Sequence, residues 1–350
     1  MQTLSAIDAI SPAWNHTRSL LRPLRLRTLL KIGVIAFFTQ FSTGSGNFST
    51  HGGHWPGVTP EFNGAMVLVG LIFGLIGLVF AFAFFYLNSR LQFVLFEVVL
   101  RRDTTIGPMW TRYSRATWYW MGIKFFFGLI ATACVLPFLI LPIIHLFHVA
   151  SSLQDGTTPS VASVLHILGA MLPLLIPFVI AAIIIGCLYR VLFDFGLPSM
   201  ALEGTTIGET ARRVWQLVRV EPGAVFLYIV MHILLGFVIG IIAFIISLLV
   251  IGIALVPLGG AGVGLWYSLH HVGVAGYIFM GLGWAVLGVI FAAVLIILIL
   301  ALSAYVTCFW QAYALYFLGG RYPLLGQYLE PFLPPTPGYP PFNPPPLPSA

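Results

Sequence analysis

Nine histidines punctuate this 350-residue chain. Seven of them, His51, His54, His145, His148, His166, His270 and His271, fall beside apolar runs and away from the cations. Two pairs have HxxH spacing: His51-Gly52-Gly53-His54 and His145-Leu146-Phe147-His148. Residues three apart on a helix share a face, so His145 and His148 are candidate ligands for one divalent metal. His51 and His54 sit in a glycine-rich stretch that imposes no geometry. Glu61 and Asp155 are the only acids on that side. A catalytic zinc takes three protein ligands and an open position. Such a centre here would make the chain a metal-dependent lipid-modifying enzyme. The simpler reading is that histidine is the mildest polar residue for an interface kept free of Lys and Arg. No cofactor is expected.

His232 is different, because it lies inside an apolar run. An ionisable group at that depth marks a proton relay or a polar-substrate contact by default. The plainer alternative is a neutral imidazole bonded to a neighbouring helix, with Gln40, Thr307 and Gln311 as possible partners. Arg190 and Asp194 have the i,i+4 spacing of a helical ion pair; Glu97 follows Arg90 in a similar setting. No nucleophile or phosphate loop lies near either acid, so the chain reads as a non-enzyme. Gly259-Gly260-Ala261-Gly262-Val263-Gly264 superficially resembles a dinucleotide loop, but follows no strand. It is expected to be a flexible connection. Cys134, Cys187 and Cys308 lie in apolar runs without metal or redox spacing and read as packing residues.

Only 7% of the residues are charged, against 59% hydrophobic. Soluble domains carry about 25% charged residues, so lipid is the solvent expected for most of this chain. Six helical spans are expected, near 28–45, 65–88, 122–146, 167–190, 224–256 and 277–312, in an all-α transmembrane bundle. The first, weakened by Lys31 and Gln40, is expected to act as an uncleaved anchor. All sixteen Lys and Arg residues can be placed on one side of the membrane, and the alternate connections contain no cation. By the positive-inside bias both termini are then cytoplasmic. The basic residues flank spans and build no separate domain, which argues against nucleic acid.

The chain divides into a basic amphipathic arm (1–27), a six-span domain (28–320) and a Pro-rich tail (321–350). Thr104-Thr105-Ile106-Gly107 recurs as Thr205-Thr206-Ile207-Gly208, marking an internal repeat of about 65–146 and 167–256. Thr206-x-x-Glu209 has capping-box spacing. Ile207, Ala211, Val214 and Val218 then line one face of a helix expected to lie apolar side down on the membrane. Arg101, Arg102, Arg212, Arg213 and Arg219 are the expected contacts for anionic lipid or a partner. Pro137, Pro142, Pro173 and Pro177 should kink spans three and four. Gly70-x3-Gly74 and Gly236-x3-Gly240 are expected helix-packing sites. Half of residues 331–350 are proline, which predicts extended polyproline II or disordered chain.

Ala6-Ile7-Asp8-Ala9-Ile10-Ser11-Pro12-Ala13, Arg22-Pro23, Leu30-Lys31-Ile32-Gly33, Ser89-Arg90-Leu91-Gln92-Phe93 and Phe193-Asp194-Phe195 through Pro198 carry a resemblance. Together they resemble a family of uncharacterised bacterial six-span membrane proteins. More distantly they are similar to the membrane domain attached to some glycerophosphoryl diester phosphodiesterases. The resemblance implies a fold and a bacterial inner membrane, and no activity; no stretch of this chain is long enough to hold the hydrolase domain. The function expected is a non-enzymatic scaffold or accessory subunit. The alternative is a small-molecule or lipid transporter.

Overall fold

The computed structural model describes residues 3–22, 26–40, 64–102, 106–153 and 161–329. Among them the chain is helical, without strands. The helices are α1 (Ile10–Leu21), α2 (Leu26–Gln40), α3 (Gly64–Arg101), α4 (Ile106–Arg112), α5 (Ser114–Leu153), α6 (Val161–Glu203), α7 (Ile207–Val220), α8 (Pro222–Leu269), α9 (Val274–Gly319) and α10 (Pro323–Leu329). His51, His54, Glu61, Asp155, Thr104, Thr105 and residues 330–350 of the tail lie outside the described residues.

Five helices, α3, α5, α6, α8 and α9, are long and apolar enough to cross a membrane. Lipid offers the backbone no partners, so helix is the form these runs must take. A chain with five such helices is a multi-pass membrane protein. The first expected span corresponds to α2, whose 15 described residues reach about 22 Å. A hydrocarbon core is about 30 Å thick.

The helices outrun the expected spans. At 38 residues, α3 is about 57 Å long. The most apolar windows of α3, α8 and α9 contain no buried residue, as suits surfaces facing lipid. Burial concentrates near the opposite ends, from Asn88 to Leu100 in α3 and from Ser303 to Leu318 in α9. Helices α5 and α6 run uninterrupted through all four prolines.

The chain forms two compact units: Met1–Ser114 with Phe226–Ala350, and Arg115–Val225. In the first, α1, α2, α3 and α10 pack on α9. The Gln40 amide donates to Thr307 Oγ1 at 2.8 Å, and the Asn88 amide donates to the Phe38 carbonyl. Both bonds tie helices across an apolar medium. Arg321–Leu329, assigned above to the tail, joins this core: α10 buries Leu325, Gly326 and Leu329.

In the second unit, Glu209 accepts the Thr206 backbone N–H at 2.9 Å, completing the expected capping box. Helix α7 seats on glycine notches. A Cβ on Gly122 of α5 would strike Ile207, and one on Gly196 of α6 would crowd Thr210. Thr210 and Val214 are buried. Of the stripe expected to lie on lipid, Val214 is buried in the unit, Ile207 and Val218 are half-buried, and Ala211 is exposed. Ile106 opens α4 as Ile207 opens α7, but the helices that follow differ in length.

Two expectations about glycine change. The run Gly259–Gly264 is helical, inside α8. The helix continues through the run although each glycine costs it about 1 kcal/mol. A Cβ on Gly262 would collide with Trp284, and one on Gly283 with Leu265, so these glycines let α8 and α9 interlock. The connection lies further on, where Gly273 has φ 74°. Gly70, Gly74 and Gly240 face open space, and a Cβ on Gly236 would stand 3.8 Å from Trp310.

A close backbone approach between α2 and α9 lies at Gly33, where a Cβ would clash with the Leu300 carbonyl. Gly33→Ala is therefore expected to push these helices apart and cost about 1–3 kcal/mol. Gly70→Ala, with open space around it, should cost little. Denaturant titration in detergent measures both, and equal midpoints would dismiss the close-packing role of Gly33.

Candidate functional site

In the first unit, charged groups gather near the end of α3. Glu97 is buried one turn before the end of α3. Arg101 reaches it at 3.2 Å along the same helix, and Arg112 at 3.1 Å from α4. Tyr113 lies beside the carboxylate and stacks on Phe93 at 5.2 Å. Burial, and then the charge of Glu97, push its phenol well above the ordinary value. Arg90, the residue expected to serve Glu97, instead donates to the Trp110 carbonyl. Its guanidinium also lies over the Trp110 ring at 4.6 Å.

A second hub was not anticipated. His16 of α1 is buried, with Nε2 2.6 Å from the Val99 carbonyl. Its Nδ1 stands 3.2 Å from both Tyr316 Oη and Arg102 Nη2. A carbonyl only accepts, so Nε2 carries the proton and Nδ1 accepts. Burial lowers the His16 pKa; the Val99 bond opposes this and Arg102 adds to it. Arg102 has φ 57°, a left-handed conformation costing a non-glycine residue about 1 kcal/mol. The Tyr313 hydroxyl donates to the Ala6 carbonyl and Arg321 donates to the Leu4 carbonyl, fastening the N-terminal arm further.

The second unit has its own pairs. Arg190 donates to Asp194 at 2.9 Å, at the expected spacing. Arg213 meets Glu203 at 2.5 Å. The Thr206 backbone bond, then its hydroxyl, holds the exposed Glu209 carboxyl below its ordinary range. Lys124 is 5% exposed and lies 5.6 Å over the Phe193 ring, a residue that sequence alone left unremarked.

His232 stacks on Trp310 at 3.7 Å, with Tyr228 and Tyr313 around it. Gln40 and Thr307, considered as its partners, bond each other. His270 and His271 lie beside the α8–α9 turn with ring centroids 3.4 Å apart, and His270 Nδ1 bonds the Trp266 carbonyl at 2.8 Å. His145, His148 and His166 fall in α5 and α6, and their side chains lie outside the described residues. Among the described residues no group of three His, Cys, Asp or Glu converges. The three cysteines are free thiols.

The five arginines expected to face lipid or a partner therefore divide. Arg101 and Arg213 serve internal carboxylates, and Arg102 faces His16. Arg212 and Arg219 are exposed on α7. Chemically, these ends hold helices together and present surplus guanidinium.

A family described as a family of unknown function, DUF7544, matches residues 4–328. No curated protein and no solved structure matches.

Proposed function

The chain belongs to this family of unknown function, and from that premise we propose that it is a non-enzymatic scaffold or accessory subunit of a membrane complex. One observation carries this reading. Glu97, Asp194 and Glu203 each hold arginines of their own unit, so the carboxylates are committed to cohesion between and along helices. We place α2 in a first of six spans, with both termini in the cytoplasm, because this sets all sixteen cations on one side. The resemblance supports a bacterial inner membrane and a distant kinship with the phosphodiesterase membrane domain.

The test is gentle extraction of the tagged full chain from its native membrane. The expected result is a membrane protein retained in fixed proportion through successive columns. A chain that emerges alone and monodisperse would sink the scaffold reading. His232, enclosed by Trp310, Tyr228 and Tyr313 within an apolar helix, favours a transporter as the second reading. Solute flux in proteoliposomes that disappears in His232→Ala would promote it.

A further inference from the structure

The two short amphipathic helices share a pattern that their packing does not explain. Helix α1 buries Ala13, His16, Thr17 and Leu21, and α7 buries Thr210 and Val214. These positions are thus already covered. Yet each helix turns tryptophan and arginine outward. Trp14 is 54% exposed, Arg18 follows it four residues later, and Arg22 caps the helix just past Leu21; both arginines are exposed. Trp215 is 56% exposed. Arg219 follows four residues later and stacks over its indole at 5.3 Å, while Arg212 stands three residues earlier. Residues three and four apart share a helix face. The same pairing opens α5, where Arg115 lies 6.0 Å over Tyr119 beside exposed Trp118.

Neither water nor hydrocarbon suits such a face. Water leaves the indole's apolar body uncovered, and hydrocarbon strips the guanidinium of hydration. The headgroup layer accommodates both, since indole is amphipathic and prefers that depth. Charge then selects the headgroup. Glu97, Asp194 and Glu203 are occupied by Arg101 and Arg112, Arg190, and Arg213. Arg18, Arg22, Arg212 and Arg219 have no ion pair among the described residues. Fourteen of the sixteen cations are arginine, whose planar fork matches two phosphate oxygens at once, as a lysine ammonium does not.

We infer that α1 and α7 are headgroup-seeking helices that hold phosphates of anionic glycerophospholipids through Arg18 and Arg22 in one unit and Arg212 and Arg219 in the other. Trp14 and Trp215 set their depth. This rests on the chain being a membrane protein and not on the scaffold reading, which its own co-purification test judges separately.

The experiment reconstitutes the full chain in vesicles of equal phosphatidylglycerol and phosphatidylcholine. The protein is re-extracted in mild detergent, and the retained lipids are quantified by mass spectrometry. Phosphatidylglycerol should be enriched. Arg212→Gln with Arg219→Gln, and separately Arg18→Gln with Arg22→Gln, should each lower the enrichment, at low salt by about fivefold per arginine. Helicity and elution volume establish that the variants fold. A wild-type arm covers a variant that does not: about 0.5 M salt should erase most of the enrichment, since screening is then within a few ångströms. Equal retention of the two lipids, enrichment indifferent to salt, or full enrichment in folded variants would each overturn the inference. So would complete displacement of phosphatidylglycerol by millimolar inorganic phosphate, which would make free phosphate the ligand.

Discussion

Glu97→Ala lowers the unfolding free energy in detergent by about 3 kcal/mol. The carboxylate is buried and joins α3 to α4 through Arg112 while also holding Arg101. Removing it leaves two guanidiniums facing each other around a vacated site. Breaking one partner of a fully buried pair costs about 3–5 kcal/mol. The lower end applies because the arginine side chains are 36% and 28% exposed and can turn to water. Glu97→Gln keeps the shape and one acceptor, and should cost about half as much. Arg112→Ala made in the Glu97→Ala background should cost less than in the wild type, since contacting residues couple. Additive losses in that cycle would show that Glu97 and Arg112 act independently and that the α3–α4 tie carries no energy.

What sequence revealed here was local. The apolar runs could only be helices. Arg190 with Asp194 and Thr206 with Glu209 were legible because a helix repeats every 3.6 residues and brings partners three or four apart together. Contacts across the chain were not. Glu97 meets Arg112 from fifteen positions away, past a break in the helix, so Arg90 looked the better partner at short range. The glycine run 259–264 carries a loop's composition, yet α8 runs straight through it. At Gly33 the Leu300 carbonyl presses on the backbone, a contact that no spacing records. His16 left one readable trace. It falls three residues after Ala13 and seven after Ala9, within the buried stripe of an amphipathic helix. A polar residue in that stripe needs a partner, though not one that sequence can name.

His16 should make the N-terminal arm acid-labile. Its neutral ring donates from Nε2 to Val99 and accepts at Nδ1, where Arg102 of the α3 terminus and Tyr316 of α9 face it. Protonation would turn Nδ1 into a donor aimed at a guanidinium. The folded pKa therefore lies below the ordinary 6.5, chiefly through burial. The unfolded chain binds a proton that the folded one refuses, so stability rises with pH across this window. The His16 contribution is complete above pH 6.5 and is lost as pH falls from 6.5 toward the folded value, at up to about 1.4 kcal/mol per pH unit. Other titrating histidines are removed by difference. Denaturation midpoints of wild type and His16→Gln, compared from pH 8 to 5.5, should converge as acid removes the wild-type advantage. At pH 8 the variant should be less stable by about 2 kcal/mol, the cost of disturbing a buried hydrogen-bonded group. Hydrogen exchange in α1 should accelerate in acid in the wild type and be fast in the variant throughout. Two curves that fall in parallel would remove His16 from any acid response and leave it as packing alone.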